Sequence, residues 1–81
     1  MEQRRTEQTV LGHIDRLVKE EHRLEAMAAP ADADRARLAE VVIELDQCWD
    51  LLRQRRALRE FGKDPDGAQV RPPATVEKYT G

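Results

Sequence analysis

Apolar residues recur at intervals of three and four along most of this chain. Between Thr6 and Ala28 they fall at Val10, Leu11, Ile14, Leu17, Val18, Leu24 and Ala28, the spacing of one helix face and not of a strand. Thr6 followed by Glu7 suits an N-terminal cap with an acid in the first turn. Gly12 falls opposite the stripe, an exposed position where a glycine is tolerated at a cost of about 1 kcal/mol relative to alanine.

Pro30 pushes its predecessor out of the helical region, and Asp32 or Asp34 stands where a second helix needs a cap. The second stripe reads Leu38, Val41, Val42, Leu45, Cys48, Trp49 and Leu52, within about a third of the circumference. Gly62, after Phe61, supplies the left-handed residue that ends a helix. The pattern predicts an all-α fold: an antiparallel, coiled-coil-like two-helix hairpin over residues 1–62, with helices over about 6–28 and 33–61.

Beyond Gly62 the periodicity stops, which marks 63–81 as a tail. Asp64-Pro65-Asp66-Gly67 fits a type I turn, Arg71-Pro72-Pro73 fits extended chain, and Thr75 to Tyr79 fits one helical turn presenting Val76 and Tyr79. The tail is either mobile or folded back on the hairpin.

A loop centred near Ala31 pairs residues whose numbers sum to about 62. That register sets Leu24 against Leu38, Leu17 against Leu45, Ile14 against Trp49, and Val10 and Leu11 against Leu52. At the open end it sets Glu7 against Arg55 and Arg56, and Gln3 against Arg59, so the arginines that continue the stripe gain a structural partner. Near the loop, Glu21 faces Arg35 or Arg37.

Two facing helices leave apolar surface over. Trp49 is too large for one neighbour to cover, and Leu51, Leu58 and Phe61 lie on a different side of the second helix. Trp49, Leu51, Leu58 and Phe61 therefore form the candidate interaction surface. Either the tail covers it, through Val70, Val76 or Tyr79, or a second copy does, in a four-helix bundle. A short chain of 81 residues without a disulfide buries little core, which favours a homodimer.

Composition agrees with helices: charged residues make up 37% and aromatics 4%, which suits long solvated helices. A net charge of -2 gives no general attraction for nucleic acid or anionic lipid. No apolar run is long enough to span a bilayer, and no apolar segment of a secretory signal follows the charged N-terminus. The expected setting is the cytoplasm, with no membrane partner. Charge is unevenly placed: residues 30–50 carry six acids against Arg35 and Arg37, while 51–62 carry Arg53, Arg55, Arg56 and Arg59 against Glu60. That order complements the helix macrodipole.

Arg53, Arg55, Arg56 and Arg59 also form a candidate basic face for phosphates, and an accessory nucleic-acid or nucleoprotein-binding module is the alternative reading. Net acidity and the lack of interleaved aromatics argue against it. Catalysis finds no support. The chain has no serine and no Gly-rich phosphate loop, and Glu20 and Glu21 diverge as helical neighbours. His13 and His22 point to opposite sides, so they share no metal. Cys48 lies between Asp46 and Asp50, which disfavour a thiolate. No cofactor, metal site or catalytic residue is expected, and the sequence points to a non-enzymatic protein–protein interaction module.

The run LDQCWDLLRQRRALRE, with DPDGAQVRPP and VEKY after it and HIDRLVKEEHRL before it, resembles a family of short actinobacterial proteins classed as a domain of unknown function. The resemblance implies a small cytoplasmic helical protein with no assigned activity, cofactor or catalytic residue. It also implies that the DPD to VRPP tail is an integral part of the protein.

Overall fold

The computed structural model describes residues 7–76. Two long helices, α1 (Glu7–Glu25) and α2 (Asp32–Glu60), pack against each other and are followed by a single 3-10 turn (Pro65–Gly67) and one short helix, α3 (Pro73–Val76). The fold is all-helical. Thr6, Gln3 and Tyr79, which the sequence reading used, lie outside the described residues.

α1 ends at Glu25, three residues short of the expected boundary. Met27 already bonds back to the Leu24 carbonyl at 3.3 Å in a tighter turn, and Met27 and Ala28 are exposed because α2 has not yet begun opposite them. Ala31 occupies the cap position of α2 and has no side-chain acceptor. Asp34 serves from inside the first turn instead, accepting the Ala31 amide at 3.0 Å, half of a capping box. At the other end Lys63 N–H donates to Leu58 O at 2.7 Å and Gly62 N–H to Arg59 O at 3.1 Å. With Gly62 at φ 71°, this is the paired-bond termination that a glycine permits at no steric cost.

The core is the seam between the helices. Val10, Ile14, Leu17 and Leu24 of α1 meet Val41, Leu45, Cys48 and Leu51 of α2, with Val18, Leu38, Leu52 and Ala68 packed around them. Along α2 the seam advances in alternating steps of three and four, through Leu38, Val41, Leu45, Cys48, Leu52 and Arg55, as in coiled coils. The sequence reading placed Trp49 on this seam opposite Ile14. In the structure Cys48 is buried in the core cluster with Ile14, while Trp49, one residue and about 100° further round, is 44% exposed. A small thiol lets the helices approach where an indole would hold them apart.

One edge of the seam is polar. Arg37 grips Glu20 with two bonds, Nε to Oε2 at 2.7 Å and Nη2 to Oε1 at 2.8 Å, and also reaches Glu44 at 3.5 Å. His13 stands 3.8 Å from Glu44 and Arg23 3.9 Å from Glu20. The expected acid at this layer was Glu21, but Glu20 lies on the flank that Arg37 can reach, while Arg35 bonds Asp32 within its own helix. At the open end Glu7 pairs with Arg59, and not with Arg55 or Arg56.

The bidentate bond from Arg37 holds the Glu20 carboxyl below the usual carboxylate range, assisted by the charges of Arg37 and Arg23. A depressed folded-state pKa contributes stability that is present above the unfolded value and is lost as pH falls through the folded one. Glu20→Gln is thus expected to melt below the wild type at neutral pH, with the gap closing as pH drops beneath the carboxylate range. Thermal melts of both proteins from neutral to acid pH check this, and a gap independent of pH would show that the ion pair contributes nothing.

Candidate functional site

The tail runs back along α2 on the polar edge of the seam. Asp64 accepts the Asp66 amide at 2.9 Å and Gly67 N–H bonds to Asp64 O at 3.0 Å, which forms the turn. A Cβ on Gly67 would lie 3.9 Å from Leu58, so the turn sits over that residue. The chain then extends to α3, where Val76 is buried to 1%.

Two charged side chains buried on α2 fasten it. Arg55, 6% exposed, donates from Nη1 to Pro65 O at 3.2 Å and to Asp66 Oδ1 at 3.0 Å. Asp50, 3% exposed, accepts from Gln54 Nε2 at 2.8 Å and faces Arg71 Nε at 3.4 Å. Gln54 also pairs with the backbone of Gln69 in both directions, Nε2 to O at 2.6 Å and N–H to Oε1 at 3.2 Å. One turn pair nearer the start of α2, Gln47 Nε2 donates to Arg71 O at 3.0 Å. Residues 69 and 71 are two apart in extended chain, so their bonding groups point the same way. Gln47 and Gln54 are two turns apart on a helix and do the same. The two helical turns rise about 10.5 Å and the two extended residues span about 6.6 Å, so the long glutamine side chains converge on the tail to make these bonds.

The arrangement redistributes the residues singled out from sequence. Leu51 is 1% exposed beneath the tail, so it is closed to a partner while the tail is seated. Leu58 is half-covered by the turn, and Phe61 at the helix end is 79% exposed. Of the proposed basic face, Arg55 is an internal fastener and Arg59 pairs with Glu7, which leaves Arg53 and Arg56 exposed on α2. The four arginines therefore do not present one face. The sequence reading missed Gln47, Asp50, Gln54 and Asp66. Gln47, Asp50 and Gln54 do stand at spacings of three, four and seven on α2, but nothing local marks them as the seat of the tail.

The opposite edge of the seam carries no tail. Because His13 and Glu20 face Glu44 and Arg37 on one side, Leu11 and Val18 of α1 and Val42 and Trp49 of α2 share the other. Leu11 is 47% exposed, Val42 42% and Trp49 44%, which makes this an open apolar edge.

Beside the tail is a cleft of about 250 Å³ lined by His13, Glu44, Gln47, Cys48, Leu51 and Val70. Among the described residues no group of three or more histidine, cysteine or acidic side chains is arranged to hold a metal ion. No helix among them is long and apolar enough to cross a membrane.

These features define a class: a two-helix hairpin strapped by its own tail on one edge and apolar on the other. Residues 6–81 match the family described as "Protein of unknown function (DUF2630)", and the chain belongs to that family. It is 50% identical over 80 residues to uncharacterized protein Mb0922c of Mycobacterium bovis, covering 94% of this chain and 92% of the relative. Uncharacterized protein Rv0898c of Mycobacterium tuberculosis matches to the same extent. No solved structure matches the chain.

Proposed function

We propose that this protein is a cytoplasmic, non-enzymatic protein–protein interaction module that associates with a second copy of itself through the edge formed by Leu11, Val18, Val42 and Trp49. The observation that carries this reading is Trp49, a large aromatic left nearly half exposed beside two other exposed apolar side chains. Tryptophan is among the residues most enriched where interfaces concentrate their binding energy, and a chain this short gains stability from added buried surface.

Charge supports a symmetric partner. Asp46 precedes Trp49 by three residues and Arg53 follows it by four. In an antiparallel contact of two α2 helices centred on Trp49, each acid meets the other copy's arginine, and a two-fold axis makes the pairing reciprocal. The nucleic-acid reading loses support, since Arg55 and Arg59 are engaged within the fold.

Light scattering through the micromolar range is expected to give the mass of a dimer for the wild type and of a monomer for Trp49→Glu, with helical circular dichroism retained in both. A wild type that stays monomeric, or a Trp49→Glu variant that stays dimeric, rules this interface out.

A further inference from the structure

The tail-binding edge of α2 has the makings of a peptide site already filled in cis. We propose that it also takes, in trans, an extended proline-containing peptide from another protein, one that presents a large apolar residue followed by arginine. This site is separate from the apolar edge invoked above and stands or falls independently of it.

Three observations carry the inference. First, the grip on residues 69 and 71 goes through main-chain atoms, read by Gln54 and Gln47. Any extended segment offers the same groups at the same spacing, and a proline-containing one is already extended before it binds. Second, Asp50, 3% exposed with the tail seated over it, takes its cationic partner, Arg71, from that tail. A carboxylate in that position requires a cation from whatever segment lies over it, which selects arginine at one position. Third, the tail fills the site incompletely. Val70, 44% exposed, lies on the cleft of about 250 Å³ whose floor is Cys48 and Leu51. The cleft has room for a larger side chain in place of Val70.

The tail is tethered within a few residues of the end of α2, so it competes at an effective concentration in the millimolar range. A partner peptide succeeds where it fills the cleft better than valine does, or where the tail is weakened.

The test uses the full chain carrying Arg71→Glu, which sets an acid against Asp50 and loosens the tail, and a fluorescent peptide of residues 66–76. Anisotropy is expected to show that the peptide binds this variant roughly tenfold more tightly than it binds the wild type. Arg71→Ala in the peptide is expected to weaken binding by about tenfold or more, and Val70→Leu in the peptide to strengthen it. The peptide changes also apply to the unaltered chain, so the comparison survives if Arg71→Glu does not fold. No binding to either chain, or equal binding of the peptide with and without its arginine, overturns the proposal. Val70→Leu binding no better than valine removes the cleft as its side-chain pocket.

Discussion

Leu51→Ala is expected to lower the unfolding free energy by about 2 to 5 kcal/mol. Leu51 is 1% exposed and stands where three elements meet: α1 across the seam, α2 itself, and the tail above. Truncation there removes contacts on both sides at once, and neither side can collapse into the gap without breaking its own bonds, through Arg37 and Glu20 on one flank and Gln54 and Gln69 on the other. The loss is comparable to the whole stability that a small single core supplies, roughly 3 to 5 kcal/mol. Urea unfolding followed by helical circular dichroism measures it, with the exposed Arg16→Ala as a control expected to shift by no more than about 0.5 kcal/mol. A Leu51→Ala chain as stable as that control would mean that the tail does not seal this position.

Arg55→Ala is expected to release the tail at a cost of about 2 to 3 kcal/mol, the worth of hydrogen bonds made by a charged donor. Its two bonds to Pro65 O and Asp66 Oδ1 hold the turn from which the rest of the tail is laid down. Asp66 lies at the surface and rehydrates, so no buried charge is stranded on its side. The defect should therefore be local. Hydrogen exchange is expected to quicken across residues 66–76 while the seam amides of α1 stay protected, and trypsin is expected to cut after Lys63 sooner than in the wild type. Uniform loss of protection would make Arg55 a determinant of the entire hairpin.

Much of this fold was legible in the spacing of apolar residues, because α1 has one neighbour and one stripe. Of the first stripe as read, Val10, Ile14, Leu17 and Leu24 are buried and Val18 packs beside them, while Leu11, set against Leu52, is 47% exposed and Ala28 lies exposed beyond the helix. α2 was harder because it has two neighbours. Its apolar residues spread over a third of the circumference, and a broad stripe does not say where its centre lies. A phase shift of one residue moves Trp49 out and Leu51 in. The polar fasteners were illegible for a different reason. Asp50 was read as a charge beside Cys48, Arg55 as a partner for Glu7, and Gln54 was not singled out, whereas the tail brings an arginine to Asp50, an acid to Arg55 and a peptide group to Gln54. Such pairing depends on chain returning from 10 to 24 residues away, which no local pattern encodes. Phe61, Leu58 and Leu51 looked like one patch because they share a flank, yet the turn ends before Phe61 and covers the other two.

Both α1 and the tail pack on α2, which makes the middle of the chain the hub of the fold. Synthesis delivers these parts in the order α1, α2, tail. The hairpin can close as soon as α2 has emerged, through contacts that are short in sequence and therefore quick to find. The strap arrives last, and until it does Leu51 lies bare on a nascent chain. The strap is thus a lock that closes over a finished body, and a chain cut in the turn before it would carry a hairpin with its most deeply buried leucine uncovered.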